Sequence, residues 1–340
     1  MKTGVLLTQL GTPDSPSVKD VRKYLTEFLN DKYVIDFPWL KRWLLVNLII
    51  IPFRASNSAK LYQEIWSNEG SPLLKHTLEL KDKLQGELGD SYHVAMGMRY
   101  QSPNLKDALQ ELYDTQVDKV VAIPLFPQYA TSTTKSTIEK INSLVGKMNN
   151  FPKINFIERF FDHPLFIESW VKRAAQYNAA DYDHVIFSFH GLPERQIKKL
   201  DISNSHCLEK EGCCTINCEW NTHCYKHHCY ETAKSIATRI GLNEKNYTIC
   251  FQSRLGRDPW IQPHSDKVIE EKAKQGMKKL LVFSPAFVAD CLETLYEITV
   301  EYGEIFTEFG GEKVQLVESL NSGPDWVTAL KSMVQENEAS

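Results

Sequence analysis

The chain has 340 residues, of which 42% are hydrophobic and 24% are charged, and its formal net charge at pH 7 is -4. This composition is typical of globular proteins and excludes a disordered or fibrous chain. The weakly acidic balance, with Lys and Arg spread along the sequence, argues against a nucleic-acid-binding face. A chain of this length suits two domains of ordinary size.

The N-terminal segment and the longest apolar stretch bear on location. Residues 1–15 contain a short apolar run and no small-residue cleavage site, so they predict a first β-strand rather than a signal peptide. The apolar stretch at 43–53 has about half of the roughly 20 residues that a membrane-spanning helix needs. We therefore expect a cytoplasmic protein that can still associate peripherally with a membrane.

Eight short apolar runs predict buried β-strands. Most are apolar at successive residues, which is typical of strands covered on both faces. Helical patterns separate nearly all of them, so the sequence predicts an α/β fold with parallel sheets and right-handed crossovers. The predicted strands are 4–10, 93–98, 119–125, 153–158, 184–189, 247–252, 279–284 and 314–318, and the predicted helices include 57–66, 73–86, 105–113, 167–178, 229–240 and 265–275.

The succession of four strands and then four more predicts two similar units, each with a four-stranded parallel sheet. A faint echo between the runs that precede Pro124 and Ser284 supports this division. We place the first unit at 1–118 plus 312–340 and the second at 119–311. Because ligands bind beyond the carboxyl ends of parallel strands, we expect the residues after the strands to converge on one cleft between the units.

His190 ends a predicted strand, and Gly191 and Pro193 follow it. These two residues predict a sharp exit from the strand that leaves the imidazole projecting into the cleft. A histidine in this position can act as a base near neutral pH or as a metal ligand. Its alternative is a structural role, hydrogen-bonded to the loop backbone.

Four acidic residues lie along one predicted helical stripe: Asp290, Glu293, Glu297 and Glu301. Their spacing places them on one face of an α-helix. A row of carboxylates suits the passage of a divalent cation. The alternative is a solvated acidic face, which the lack of Lys or Arg between Asp290 and Glu301 disfavours.

Six of the eight cysteines lie between positions 207 and 229. Such a cluster in a large chain without an export signal favours metal binding over disulfides. Four thiolates would hold an iron–sulfur cluster or a structural zinc, and intervening histidines leave mixed ligation open. The spacing decides neither the metal nor its ligands, and a packing role without metal is the alternative.

Further polar and apolar residues lie near the predicted strand ends. Arg99 and Arg254 could hold the carboxylates of a ligand, or they could cap loops. The segment 38–53 mixes Trp, Lys, Arg and aliphatic residues, as an interfacial helix or a buried core helix would. Apolar walls for a flat aromatic ligand, or plain core, are predicted at Leu10, Tyr129, Trp260 and Phe287.

Seven motifs extend along nearly the whole chain: TQLGTP at 8–13, EGSPL at 69–73, MRY at 98–100, FPQY at 126–129, SFHGLP at 188–193, QSRLG at 252–256 with PW at 259–260, and DCLETL at 290–295. Together and in this order they resemble the ferrochelatase family. The resemblance implies two flavodoxin-like units with a porphyrin cleft between them. It also implies the activity of a lyase that inserts Fe²⁺ into protoporphyrin IX, forming protohaem and releasing two protons in the last step of haem biosynthesis.

The resemblance also assigns roles to single residues. His190 matches the family's metal- and proton-handling histidine, Glu293 matches its partner carboxylate, and both would contact Fe²⁺. Glu297 matches the next acid along the inner helix, and Asp290 completes the catalytic set. The segment 38–53 matches the lip by which such enzymes dock on the inner membrane surface. Positions that line the macrocycle or its propionates are matched by Leu10, Arg99, Tyr100, Tyr129, Ser253 and Trp260.

The sequence departs from the family pattern at two places. Position 291 is Cys where many members have His, so a third imidazole is absent from the site. The insert at 203–229 is similar to the internal segment of microbial members that carry a [2Fe–2S] cluster. The six cysteines of the insert compete for four ligand places, and Cys218 is the most dispensable of them. Four of the other five would therefore be the ligands. The five candidates are Cys207, Cys213, Cys214, Cys224 and Cys229.

The expected partners are thus protoporphyrin IX, ferrous iron and a membrane surface, without nucleic acid, for a monomer or homodimer. One alternative is a related chelatase that acts on another tetrapyrrole or metal, such as cobalt insertion into a corrin precursor. A second alternative is a non-catalytic metal or redox sensor built around the cysteine insert. The sensor would leave His190 and the carboxylates without a purpose.

Overall fold

The computed structural model describes residues 2–216, 218–254, 256 and 258–339. Leu255, which belongs to the QSRLG motif at 252–256, and Arg257, which follows this motif, lie outside the described residues. Within the described part of the chain, no helix is long and apolar enough to cross a membrane.

Eight strands form two four-stranded parallel sheets, which confirms the predicted α/β class. The first sheet has the order β2-β1-β3-β4 and the second has the order β6-β5-β7-β8. Each predicted apolar run is confirmed as a strand. The strands are β1 (Thr3–Gly11), β2 (Tyr92–Tyr100), β3 (Lys119–Pro124), β4 (Lys153–Phe156), β5 (His184–His190), β6 (Tyr247–Gln252), β7 (Lys279–Phe283) and β8 (Lys313–Leu316).

Helices connect the strands, and local sequence signals start several of them. The Ser17 hydroxyl accepts from the Asp20 N–H at 3.2 Å, and the Asn104 side chain accepts from the Asp107 N–H at 3.0 Å, so each caps a helix. The helices are α1 (Val18–Leu29), α2 (Trp39–Leu44), α3 (Ile51–Ile65), α4 (Pro72–Leu88), α5 (Leu105–Asp114), α6 (Ser136–Val145), α7 (Pro164–Ala174), α8 (Glu194–Lys198), α9 (Tyr225–Arg239), α10 (Ser265–Lys274), α11 (Tyr302–Glu308) and α12 (Pro324–Ala339).

Three segments are π-helical: Leu45–Ile50, Thr131–Lys135 and Glu293–Glu301. The first joins α2 to α3, the second leads into α6 and the third leads into α11. Sequence periodicity did not predict them, because a π-helix differs from an α-helix only in bonding to residue i+5 instead of i+4. Such segments are rare and frequently occur at functional sites.

The chain divides into two compact units, and each has its own apolar core. Unit 1 comprises the chain up to Phe126, Thr131–Arg159 and the residues from Asn321 onward, and unit 2 comprises Pro127–Ala130 and Phe160–Leu320. Burial of each large aliphatic core side chain contributes about 1.5–3 kcal/mol relative to exposure. The core of unit 1 includes Leu6, Leu109, Val120 and Ile141, and that of unit 2 includes Ile186, Ile269, Val282 and Phe306.

The predicted boundary near 118–120 is wrong. Strands β3 and β4 belong to the first sheet, because β3 pairs with β1 and β4 pairs with β3. The return to unit 1 begins after Leu320 rather than at 312, because β8 pairs with β7 in the second sheet. An apolar run predicts a strand, but only its hydrogen-bonded ladder shows the sheet to which it belongs. His190 and the cysteine-rich segment lie in unit 2.

Candidate functional site

His190 is the last residue of β5, and Gly191 turns the chain away from the strand. The Gly191 N–H donates to the Gln252 carbonyl at 2.7 Å. A Cβ at position 191 would lie 2.8 Å from that carbonyl oxygen and 3.2 Å from the Trp260 ring. Only glycine fits this close approach, so the sharp exit after His190 is built into the sequence.

The orientation of the His190 ring follows from one hydrogen bond. Its Nδ1 lies 2.6 Å from the Gly191 carbonyl oxygen. Because a carbonyl only accepts, Nδ1 carries the proton, and Nε2 of the neutral imidazole keeps a lone pair. The rings of Trp260 and Phe287 lie 6.5 Å and 6.3 Å from the imidazole, centroid to centroid. The site therefore combines a fixed base with aromatic neighbours.

The carboxylates lie differently from the predicted α-helical stripe. Glu293, Glu297 and Glu301 belong to a π-helical segment, in which each turn takes more than four residues, so side chains four apart align. Asp290 precedes the helix and is buried, where it accepts from the Thr294 hydroxyl at 3.0 Å and the Ser319 N–H at 3.3 Å. Asp290 thus anchors a loop instead of beginning the stripe.

Glu297 accepts four hydrogen bonds within unit 2. The donors are the Ser253 N–H at 2.9 Å, the Ser253 hydroxyl at 2.5 Å, the Gln252 amide at 3.0 Å and the Tyr302 hydroxyl at 3.1 Å. Ser253 has a φ of +66°, a left-handed conformation that non-glycine residues rarely adopt. This conformation directs two donors of one residue at the same carboxylate. Glu297 therefore fixes the turn after β6.

Glu293 and Glu301 lie on either side of Glu297 along the π-helical segment. The Gln252 amide also donates to the Glu293 carbonyl at 3.0 Å, which ties the end of β6 to the start of the segment. Partial desolvation of its carboxyl group, followed by the charge of Glu297, raises the pKa of the otherwise exposed Glu301. The Cys291 thiol contacts Glu293, and burial above all raises the pKa of Cys291 well above its usual value. A neutral thiol therefore lies beside Glu293 where many family members have histidine.

Tyr129 belongs to unit 2 and lies beside the first turn of α9. Its backbone N–H donates to His228 Nδ1 at 3.2 Å, and its ring meets the His223 ring edge-on at a centroid distance of 4.8 Å. The hydroxyl of Tyr225, in the same turn of α9, donates to the His190 carbonyl at 2.8 Å. Sequence reasoning missed Tyr225 and considered His228 only as a possible metal ligand, because nothing in a helix pattern shows which loop its side chains meet.

The other predicted ligand-binding residues, Leu10, Arg99 and Tyr100, lie in unit 1. The Arg99 guanidinium forms an ion pair with buried Asp31, which also accepts from the Tyr100 hydroxyl at 2.8 Å and the Ser136 hydroxyl at 2.6 Å. A ligand carboxylate would have to displace Asp31 from Arg99. These contacts therefore give no support to the predicted role of Arg99 and Tyr100 in substrate binding.

Asp31 was missed in the sequence because a single acid after a helix carries no motif. Its burial raises the pKa, but the hydrogen bonds of Ser136 and the Tyr33 N–H, the charge of Arg99 and the hydrogen bond of Tyr100 outweigh this effect. The net pKa of Asp31 is therefore below its usual value. This network makes the end of β2 a structural feature of unit 1.

Four of the clustered cysteines lie together in unit 2. The Sγ atoms of Cys213 and Cys214 are 3.7 Å apart, and the Cys224 thiol lies beside those of Cys207 and Cys214. These two neighbouring thiols, Cys207 first, hold the pKa of Cys224 well below its usual range. All four cysteines are buried.

The remaining two cysteines of the segment have other neighbours. The Cys229 thiol lies beside the Tyr225 hydroxyl, and burial raises the pKa of Cys229 well above its usual value. Cys218 lies with its Sγ 3.5 Å from His206 Nε2. Among the described residues, no three or more His, Cys, Asp or Glu side chains are arranged around a point that could hold one metal ion.

The predicted lip at 38–53 exposes apolar side chains. Trp39 is 69% exposed and Phe53 is 78% exposed, although both belong to the helical run from α2 to α3. The buried Arg42 donates to the Phe37 carbonyl at 2.8 Å and thus fixes the loop before α2. The alternative of a fully buried core helix is wrong for this segment. Other exposed apolar residues within it are Leu40, Trp43, Leu44, Leu48 and Ile49.

The model of the ferrochelatase family matches residues 2–338 of the chain. Ferrochelatase of Coxiella burnetii (strain Dugway 5J108-111) is 44% identical over 337 residues, which cover 99% of this chain and 94% of the relative. Ferrochelatase of Legionella pneumophila (strain Lens) is 43% identical over 336 residues, 99% of each chain. The chain belongs to the ferrochelatase family. It is a metal chelatase, a lyase that inserts Fe²⁺ into a porphyrin for haem synthesis.

Two solved structures share the fold of this ferrochelatase family member at low sequence identity. SirB from Bacillus subtilis with Fe³⁺ has a TM-score of 0.55 at 10% identity and is matched over 99% of this chain and 96% of its own. The sirohydrochlorin chelatase SirB from Bacillus subtilis subspecies spizizenii in complex with cobalt has a TM-score of 0.56, also at 10% identity, over 99% and 95% of the chains. At this identity they show the fold alone.

Proposed function

We propose that the porphyrin is protoporphyrin IX and that His190 Nε2 accepts a pyrrole proton during its metallation. The observation that carries this proposal is the hydrogen bond from His190 Nδ1–H to the Gly191 carbonyl, which leaves Nε2 as the acceptor. Trp260 and Phe287 beside the imidazole supply aromatic surface for a flat macrocycle. The exposed apolar segment favours the less charged porphyrin over a coproporphyrin.

Charge balance sets what the acidic residues have to do. Insertion of Fe²⁺ releases two pyrrole protons, so the site needs more than one acceptor. Glu293, at the start of the π-helical segment, takes the second proton or guides the incoming cation. Glu297, with four donors on its oxygens, holds the Ser253 turn in place while this happens. Trp260 contributes to buckling of the ring toward the transition state.

An anaerobic assay tests these roles. Purified protein is mixed with protoporphyrin IX and ferrous iron, and the loss of free-base porphyrin fluorescence is followed. We expect catalytic turnover, no turnover in His190→Ala, and porphyrin binding in both. Turnover retained in His190→Ala would refute the role of His190. Turnover with coproporphyrin but not with protoporphyrin would refute the proposed substrate.

We further propose that the apolar segment at 38–53 docks on an anionic bilayer. Its exposed aromatic and aliphatic side chains are accompanied by Lys41, whose Nζ lies 4.4 Å from the Phe37 ring centroid, and by the neighbouring Arg54. Apolar burial and attraction of cations to anionic lipid reinforce one another at such a surface. A docked lip would receive a poorly soluble porphyrin directly from the membrane.

Vesicle co-sedimentation tests the docking. We expect the protein to bind vesicles of phosphatidylglycerol and phosphatidylcholine, and Trp39→Ser with Phe53→Ser to reduce this binding at least about tenfold. Leu78→Ser, at an exposed leucine outside the lip, is the matched control and should bind as the unaltered protein does. Equal binding by the double variant and the control would refute the lip as the docking surface.

The cysteine-rich segment fits a [2Fe–2S] cluster, which we propose as a bound cofactor. Two thiolates on one tetrahedral iron lie about 3.8 Å apart for Fe–S bonds near 2.3 Å, and the Cys213 and Cys214 sulfurs are 3.7 Å apart. Cys207 and Cys224, which contact each other, make the second pair. When bound, the cluster would supply one-electron redox chemistry and cross-link the segment.

Cysteine variants decide the ligand set. Anaerobically purified protein should contain two irons and two sulfides, and serine at position 207, 213, 214 or 224 should abolish the visible absorption of the cluster. Cys229→Ser is the matched control, because Cys229 is buried in the same segment but lies beside the Tyr225 hydroxyl. Loss of the cluster in Cys229→Ser and its retention in Cys213→Ser would refute this assignment.

A further inference from the structure

The first turn of α9 contacts two residues of the proposed site through separate hydrogen bonds. Tyr225 bonds to the His190 backbone and His228 bonds to the Tyr129 backbone. We propose that Tyr225 and His228 are positioning residues for iron insertion, and that through them the thiol cluster controls the geometry of the site. This inference rests on the proposed function.

The hydroxyl of Tyr225 lies between the catalytic histidine and a buried thiol. It donates to the His190 carbonyl at 2.8 Å and lies beside the Cys229 thiol. A phenol has one proton, and in Tyr225 that proton is committed to the His190 carbonyl. Because the His190 ring is itself held by the adjacent Gly191 carbonyl, fixing this backbone fixes the direction of Nε2.

His228 holds Tyr129 in a comparable way. Its Nδ1 accepts from the Tyr129 N–H, so its Nε2 carries the proton and donates to the Thr222 carbonyl at 3.0 Å. The Phe161 ring stacks on the imidazole at a centroid distance of 4.0 Å and an interplanar angle of 11°. With both ring nitrogens and one face engaged, His228 is a rigid link between Tyr129 and the cysteine-rich segment.

The hydrogen bonds to His190 and to Tyr129 both come from the first turn of α9. Tyr225 and His228 are three residues apart and therefore lie on the same face of α9. The residue before Tyr225 is Cys224, which precedes the helix and contacts Cys207 and Cys214. A change in the thiol cluster therefore acts on the turn that holds both site residues. This gives the segment a role in catalysis without any contact to substrate.

Removal of one hydroxyl tests the first link. We expect Tyr225→Phe to lower kcat about three- to tenfold, as for one lost hydrogen bond, with a porphyrin KM within about twofold and unchanged cluster absorption. Tyr230→Phe is the matched control, since Tyr230 lies on the same helix and, among the described residues, no hydrogen bond joins its hydroxyl to His190 or Tyr129. A kcat for Tyr225→Phe equal to that of the control would overturn the role of Tyr225.

A pair of substitutions tests the second link. The side-chain oxygen of asparagine lies near the position of His228 Nδ1 and can still accept from the Tyr129 N–H. The amide group of glutamine lies near the position of Nε2 instead and cannot make this hydrogen bond. We expect His228→Gln to raise the porphyrin KM about three- to tenfold and His228→Asn to restore it to within about twofold of the unaltered protein. Equal KM values for His228→Gln and the unaltered protein would overturn the role of His228.

A double-mutant cycle tests the coupling to the cluster. Cys207→Ser removes a proposed ligand that lies outside α9, and its loss of kcat is measured both in the unaltered protein and in the Tyr225→Phe variant, together with iron content and absorption. Coupled residues give a smaller combined loss than the product of the single losses. Independent, multiplicative losses would overturn the coupling. An unaltered protein without turnover would instead refute the proposed function.

Discussion

The two units share one framework, and their strand ends can be aligned residue by residue. In unit 1 the Met98 N–H bonds to the Pro103 carbonyl, and in unit 2 the Phe251 N–H bonds to the Pro263 carbonyl. In both units the residue after this proline is the N-cap of the next helix: Asn104 precedes α5, and His264 precedes α10. Met98 and Phe251 therefore occupy equivalent positions.

The ladder registers extend this equivalence to the central strands. Met98 pairs with Gln9 in unit 1, and Phe251 pairs with Phe189 in unit 2. The next residue is Leu10 in β1 and His190 in β5, and a glycine follows each of them. A Cβ at Gly11 would lie 2.2 Å from the Tyr100 carbonyl oxygen, as one at Gly191 would approach Gln252.

The chemistry at these equivalent ends differs completely. Arg99, the counterpart of Gln252, is neutralised by Asp31 within unit 1, whereas Gln252, which pairs with His190 in the ladder of β5 and β6, donates to Glu297. Both units also place a π-helical segment after their third strand, Thr131–Lys135 in unit 1 and Glu293–Glu301 in unit 2. Only the second is acidic. The comparison teaches that the framework supplies positions, while the side chains at those positions supply the chemistry.

The largest effect is expected when the residue of unit 2 at this position, His190, is replaced by its unit 1 counterpart, which is the leucine at position 10. We expect His190→Leu to lower turnover about a thousandfold, because the apolar side chain cannot accept a proton. The anaerobic fluorescence assay measures the loss, and porphyrin binding should remain. Adding Leu10→His should not restore turnover, because Arg99, the counterpart of Gln252, is paired with Asp31, and the π-helical segment of unit 1 carries no acid. Restored turnover would show that the two ends are interchangeable.

The converse change acts on the buried ion pair of unit 1. Asp31→Ala leaves Arg99 buried without its partner, and we expect a loss of about 3–5 kcal/mol in the free energy of unfolding. Urea denaturation followed by circular dichroism measures it. Glu301→Ala, at an exposed acid of unit 2, is the comparison and should cost far less. A loss below about 1 kcal/mol for Asp31→Ala would contradict the structural role of this network.

A milder change sharpens the role of the Ser253 turn. We expect Glu297→Gln to lower kcat about tenfold, because the new amide N–H groups would face four donor groups that belong to three residues. The effect should be smaller than that of His190→Leu. Steady-state kinetics measures it, with Glu301→Gln as the control. An unchanged rate would remove Glu297 from the site.

The smallest expected effect is a pH dependence of the Asp31 network. The pKa of Asp31 is lower in the folded protein than the value of about 3.9 in an unfolded chain. Its ionisation therefore stabilises the fold fully above that value, and the stabilisation is lost as the pH falls through the folded pKa. The difference in free energy of unfolding between the unaltered protein and Asp31→Asn should be constant from pH 7 to 5 and shrink below pH 4. Urea denaturation at each pH measures it, and a difference that persists undiminished at pH 3 would contradict this linkage.

The elements and the family could be read from the chain alone. Apolar runs identify the eight strands because burial on both faces requires successive apolar residues. His190 with Gly191 is recognisable because a polar residue before a forced turn ends an apolar strand. The motifs identify the ferrochelatase family, which the match over residues 2–338 confirms.

Tertiary structure alone decided which strands pair and which side chains contact one another. Nothing in the sequences of β3 and β8 shows which sheet each strand joins, so the predicted domain boundary was wrong. A row of acidic residues is also compatible with both an α-helix and a π-helix. Asp31 meets Arg99 across 68 residues and Tyr225 meets His190 across 35, and such contacts depend on packing rather than on local pattern. The sequence by itself determined the strands, the turn after His190 and the family, because these depend on local periodicity and motif. The partners of each polar group were decided only when the chain had folded.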